Sequence, residues 1–155
     1  MATHMHATMM AHQLGTQMIV DRGRRLFAAS QVIDFDGDTI RESSFADVAD
    51  GAARLATALV AIGLNAGDRI GTFAWNSRPH LEAYLAVPAM GFVLHTVNVR
   101  LFPEQIAYIA NHAGDRAMIV DASLLDVLAP TLPGLSRLRR LRRILFTQSN
   151  HKSFS

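Results

Sequence analysis

Cysteine is absent from the 155 residues, so no disulfide framework, thiolate zinc site or cysteine nucleophile is available. Lysine is nearly absent as well: Lys152 is the only one, and the other fourteen of the fifteen cations are arginines. Charged residues make up only 18% of the chain, against about 25% in ordinary globular proteins. Hydrophobic residues make up 50%. That balance excludes a disordered polyelectrolyte and predicts a surface meant to be partly covered. Long apolar runs are missing too. The longest uncharged one, Ala83 to Leu94, has 12 residues and contains Pro88 and Gly91, where a membrane-spanning helix needs about 20. The sequence predicts one soluble domain, in the cytoplasm, with no transmembrane segment.

What charge there is lies unevenly. Arg137, Arg139, Arg140, Arg142 and Arg143 fall within seven residues, and without these five the formal charge goes from +2 to −3. Two readings of this run stand side by side. Leu135, Leu138, Leu141 and Leu145 can share a helix face and leave the arginines to anionic lipid, a weak membrane-surface contact. Alternatively, the run is a solvated link into a strand at Ile144–Phe146. No aromatic residue is interleaved to stack on bases, which argues against nucleic acid as a partner.

Residues 1–13, rich in Met and His and free of acid, read as a mobile leader. In such a segment His4, His6 and His12 are no more than a weak metal candidate. From Gly15 the pattern becomes regular. Met18, Ile19, Arg22, Leu26 and Phe27 predict a first helix, and Gln31–Asp36 with Thr39–Ser44 predict a hairpin around Asp36-Gly37-Asp38. The acids Asp34, Asp36 and Asp38 have the alternation of a calcium loop, but the glycine comes too early and Phe45 stands where the closing Glu belongs. Ser44 and Asp47 form a capping box. Phe45, Val48, Ala49, Ala52, Leu55, Ala56, Leu59 and Ile62 then follow at helical spacing, with Gly63 as the stop.

Beyond the turn Asn65–Asp68, Ile70–Trp75 predicts a buried strand, Pro79 to Pro88 a helix, and Phe92–Val97 a second strand. Pro103 opens a further helix at its first position and Gly114 closes it. Ala117–Val120 predicts a third strand, Ser123 with Asp126 a capped short helix, and Ile144–Thr147 a fourth strand. The fold class is therefore α/β: a mainly parallel sheet flanked by helices, with a small hairpin near residues 31–44. Nucleotide motifs are absent. Gly63, Gly67 and Gly71 match neither GxGxxG nor GxxxxGK[ST], and there is no GxSxG and no HExxH.

Three segments carry a resemblance. Ser44-Phe45-Ala46-Asp47, Ala53-Arg54-Leu55-Ala56 and Leu64-Asn65-Ala66-Gly67-Asp68-Arg69 resemble the first helix and the GxxxGDRV turn of the acyl-adenylate-forming enzymes. Ala74-Trp75-Asn76-Ser77 with His80-Leu81-Glu82 resembles their WNxxxHLE segment. The run from Gly91 to Ile106 reads GFVLHTVNVRLFPEQI, close to the GAVLHTxNxRLFPEQI of the fatty-acyl-CoA ligases. The resemblance implies residues 14–147 as an incomplete N-terminal AMP-dependent synthetase/ligase domain, followed by a polar tail at 148–155.

The complete family activates fatty acids with ATP to acyl-AMP and then forms acyl-CoA, with ATP, Mg²⁺ and CoA as cofactors. Its phosphate loop and catalytic lysine have no counterpart in this sequence. The expectation is thus a truncated or frame-shifted ligase that is inactive alone, with no catalytic, cofactor-binding or metal residues of its own. The alternative is a non-catalytic module that binds acyl chains or pairs with a ligase subunit; uncovered apolar surface would also permit self-association. By position at carboxyl ends of strands, where ligands gather in open α/β sheets, the candidate substrate-binding residues are His95, Asn98, Arg100 and Trp75. For Trp75 the competing role is packing, and for Asn98 and Arg100 it is fixing the turn into the Pro103 helix.

Overall fold

The computed structural model describes residues 14–35, 37–135 and 144–147. The expectations for the leader and its histidines, the arginine run 137–143 and the tail lie outside the described residues. The chain begins with α1 (Thr16–Leu26), then the hairpin strands β1 (Gln31–Phe35) and β2 (Ile40–Ser44), and α2 (Phe45–Ala61). It continues through β3 (Arg69–Phe73), α3 (Arg78–Ala89), β4 (Val93–Thr96), α4 (Pro103–Ala113) and β5 (Ala117–Asp121). A 3₁₀ turn (Ala122–Leu124), α5 (Leu125–Leu128), a second 3₁₀ segment (Ala129–Gly134) and β6 (Ile144–Thr147) complete it.

Strands β3 to β6 form one parallel sheet in the order β4-β3-β5-β6, while β1 and β2 pair only with each other, antiparallel. Alternation along the strands sends successive side chains to opposite faces, and each face has its own core. Ile70, Ala117 and Ile119 pack with Leu59 of α2 and with Ala83 and Val87 of α3. Phe73, Met118 and Val120 pack with Ile106 and Ala110 of α4 and with Leu124 and Leu128. The result is a sheet between two helical layers, as the apolar strand runs predict.

Local signals set the boundaries. Ser44 accepts from the Asp47 amide at 3.1 Å while Asp47 accepts from the Ser44 amide at 2.9 Å, the reciprocal box expected from the sequence. These bonds to Ser44 hold the Asp47 carboxyl below its ordinary value. Gly114 ends α4 with φ of 73°, a left-handed conformation that costs other residues more. Pro88 falls in the last turn of α3 and does not break it.

One expectation fails. Ser123 and Asp126 do not cap α5, whose preceding residue Leu124 makes no side-chain cap. Instead the Asp121 carboxylate accepts from the Ser123 amide at 3.0 Å, two residues ahead, because an Asx turn at the strand end satisfies that amide first.

Arg78 holds the hairpin to the helices. Its guanidinium donates to Ser43 Oγ at 3.0 Å, to the Asp47 carbonyl at 3.1 Å and to Glu82 at 2.8 Å, and its amide donates to Asp34 at 3.3 Å.

Candidate functional site

The chain leaves β3 for β4 on one flank and returns to β5 on the other. The carboxyl ends of β3 and β5 therefore meet at a reversal of strand order, the position where open α/β sheets form a ligand crevice. In this protein the reversal is bridged. Trp75, two residues past β3, donates its indole N–H to Ser123 Oγ at 3.1 Å. The Ser123 hydroxyl donates in turn to Asp121 at 2.8 Å, and Asp121 is fully buried at the end of β5.

His80, in the first turn of α3, closes the arrangement from below. Its Nδ1 lies 3.0 Å from the Trp75 carbonyl and its Nε2 lies 3.0 Å from Thr72 Oγ1. A carbonyl only accepts, so Nδ1 carries the proton and Nε2 accepts from the threonine. Burial pushes the His80 pKa below its ordinary 6.5, with the Trp75 carbonyl and the Asp121 charge pulling the other way. Next to this network, Val32 and Asp34 of β1 face Asn76, Ser77, His80 and Tyr84 across a cleft of about 300 Å³.

The four sequence candidates do not converge on one point. Trp75 is half-buried against the core on the α4 side. Asn98 accepts from the Arg100 amide at 2.9 Å, and both residues are exposed. Their turn leads to Phe102, whose amide donates to Gln105 at 3.1 Å just ahead of Pro103. His95 is held by Asp115, with Nδ1 at 2.9 Å and 3.0 Å from the two carboxylate oxygens.

Asp115 is fully buried. It occupies the space above Gly71, the register partner of His95, where a Cβ would stand 2.9 Å from its Oδ2. Burial raises the Asp115 pKa, opposed by the hydrogen bond and charge of His95 and by the charge of Arg69. A polar pair thus replaces apolar packing on this stretch of the sheet, and Gly71 is the residue that leaves room for it. Asp115, Asp121, Ser123 and the double role of His80 were not foreseen. The signal available was an Asp at each end of the apolar run Ala117–Val120.

Among the described residues no three of His, Cys, Asp and Glu gather to hold a metal. Among the described residues the glycines with positive φ, Gly37, Gly63, Gly67, Gly91 and Gly114, stand singly, so none of them opens a phosphate cradle of the kind that glycine-rich loops provide.

Comparison with known proteins gives this geometry its place. The family model described as AMP-binding enzyme matches residues 22–151. The chain is 42% identical over 122 residues to the 3-methylmercaptopropionyl-CoA ligase of Ruegeria lacuscaerulensis, covering 78% of this chain and 23% of that protein. It is 41% identical over 123 residues to the long-chain-fatty-acid–CoA ligase of Thermus thermophilus, covering 79% and 23%. The crystal structure of the anthranilate CoA ligase AuaEII superposes with a TM-score of 0.75 at 22% identity, covering 86% of this chain and 25% of that one. The fold is therefore that of the N-terminal domain of adenylate-forming ligases, and the chain spans about a quarter of the length of the relatives it matches. From matching segments, sheet and family model together, the chain belongs to the AMP-binding enzyme family.

Proposed function

We propose that this chain forms the N-terminal subdomain of a fatty-acyl-CoA ligase and is catalytically silent on its own. The observation that carries the reading is the 41% identity to a long-chain-fatty-acid–CoA ligase over a segment that is only 23% of that protein. The complete family chemistry draws on ATP, Mg²⁺ and CoA, and a fatty acid is the substrate class. The cytoplasm is the compartment proposed with this reading.

The described residues do not gather a site for those cofactors. They offer no metal-holding cluster among the described residues, and the single lysine of the sequence is Lys152. Adenylation relies on preorganised donors around the phosphates, so no step is assigned to this chain. Its own contribution is a scaffold, in which the Trp75–Ser123–Asp121 bridge and His80 fix the carboxyl ends of β3 and β5. His95, Asn98 and Arg100 stay the candidates for lining a substrate path once further chain is present, Asn98 and Arg100 because their side chains are exposed.

Two experiments test this. The purified chain is expected to give no ATP–pyrophosphate exchange with fatty acids; exchange above a protein-free blank would refute silence. Residues 14–147, grafted in place of the matching segment of the Thermus thermophilus ligase, are expected to keep acyl-CoA formation. A folded but inactive graft would refute the scaffold role.

A second reading is a module that pairs with a ligase subunit. It is favoured by the apolar outer face of the hairpin, where Ile33, Phe35 and Ile40 are all exposed. Under that reading the chain would alter the activity of an intact ligase when added in trans.

A further inference from the structure

Helix α1 turns its apolar side away from the protein. Val20 and Gly23 face inward, with Gly23 directly against the Phe45 ring. At 100° per residue, Arg25, Met18, Arg22, Leu26 and Ile19 fall in that order within an outward arc of about 120°. Ile19 is 62% and Leu26 61% exposed. Arginines sit within this arc rather than opposite it. Arg24, on another side, is engaged by Asp50 at 2.7 Å. Arg22 and Arg25 have no ion pair among the described residues; Arg22 lies 5.9 Å over the Phe27 ring. Asp21, next to Arg22 in sequence, accepts from Gln17 at 2.9 Å.

The open space along this arc, about 990 Å³, is lined among the described residues by α1 with the residues just before it and by Pro88 of α3. A small molecule is enclosed on most sides by its site, whereas the described residues around this space belong mostly to one convex helix face. A helix that mixes Met, Ile and Leu with arginines on its exposed side instead fits the boundary between lipid headgroups and acyl chains. There apolar side chains enter the bilayer edge and guanidiniums reach the phosphates.

We propose that α1 docks this chain on an anionic membrane surface. Met18, Ile19 and Leu26 enter the boundary, and Arg22 and Arg25 lie at headgroup phosphates. The surface is separate from the bridged carboxyl ends of the sheet and does not depend on the ligase reading.

Vesicle sedimentation tests it, using phosphatidylcholine alone and with 30% phosphatidylglycerol. Binding to the anionic vesicles that falls as salt rises is expected, with little binding to the neutral ones. Arg22→Gln with Arg25→Gln should weaken it roughly 30-fold, at the usual worth of an arginine near an anionic surface. Ile19→Gln with Leu26→Gln should weaken it as well, both pairs leaving the melting temperature unchanged because the side chains are exposed. Because the chain has no cysteine, Ile19→Cys carries a single environment-sensitive dye, whose emission should shift to the blue on anionic vesicles. Three results overturn the proposal: no anionic binding; binding that survives both double variants but is lost in Arg139→Gln/Arg140→Gln/Arg143→Gln; or a dimer dispersed by Ile19→Gln/Leu26→Gln in a chain that ignores vesicles.

Discussion

Replacing His95 by Leu removes the partner of a buried carboxylate while keeping the bulk of the side chain. A hydrogen bond to a charged group is worth about 1.5–3 kcal/mol, and breaking a buried ion pair from one side costs about 3–5 kcal/mol. The His95 side chain keeps 22% of its exposure, so water can reach part of the gap, and a loss of about 2–3 kcal/mol at pH 7 is expected. The sign of the pH dependence follows from Asp115. Its folded pKa lies above the ordinary 3.8 because burial dominates, so the folded state holds this proton more tightly than the unfolded chain does. The contribution to stability is greatest below 3.8 and is lost as pH rises through the folded value.

Removing His95 takes away the larger of the two influences that oppose this shift and leaves only the charge of Arg69, so the window widens upward. Urea denaturation of His95→Leu and of His95→Leu/Asp115→Asn isolates the carboxylate, because only the first variant titrates at this position. At pH 7 the single variant should be the less stable of the two. The gap should close on acidification, by at most about 1.4 kcal/mol per pH unit within the window. A gap that stays flat between pH 7 and pH 4.5, or a His95→Leu cost below about 0.5 kcal/mol, would refute the argument that His95 supports a buried Asp115 carboxylate.

Gly23→Ala places a Cβ 2.2 Å from the Phe45 ring. The overpacking, about 1–3 kcal/mol, should exceed the helix-propensity gain of about 1 kcal/mol, so the melting temperature falls, and Phe45→Leu in the same chain should restore part of it. His80 is held below 6.5 by burial, so the unfolded chain binds its proton first. Stability should fall as pH drops through 6.5, and His80→Gln should show a shallower acid slope in chemical denaturation. Ile33, Phe35 and Ile40 are all more than half exposed, and contiguous apolar surface drives association. Sedimentation velocity should therefore show self-association that Phe35→Ser with Ile40→Ser reduces; a monomer at all concentrations would contradict it.

Much of the fold could be read along the chain because its signals are local. The Ser44–Asp47 box, Gly63, Pro103 and Gly114 each act within a turn or two, and the apolar runs at 70–73 and 117–120 show burial on both faces. The site was less legible because its contacts join distant segments. Trp75 meets Ser123 only once β3 and β5 are neighbours, and Asp115 is tolerated only because Gly71 lies under it. The spacing of Ser123 and Asp126 fits a helix cap, yet Asp121 outcompetes it from the strand end. Helix α1 shows the converse limit. Periodicity located it from Met18, Ile19 and Leu26 but did not tell which side of the helix faces the protein, and the packing of Gly23 on Phe45 turns those residues outward.

The strand order has a consequence for synthesis. The first strand of the parallel sheet to leave the ribosome, β3, is an inner one; β4 then joins one flank, β5 the other, and β6 lies beyond β5. Each arriving strand finds its neighbour already made, so the sheet can assemble outward in the order of translation. Chains emerge at about 5–20 residues per second, and the 24 residues from the start of β3 at Arg69 to the start of β4 at Val93 take only seconds to appear. A nascent chain of this topology exposes β3 unpaired for that brief interval. A slow codon cluster between β3 and β4 would lengthen it, and the yield of correctly paired chains should respond to that delay.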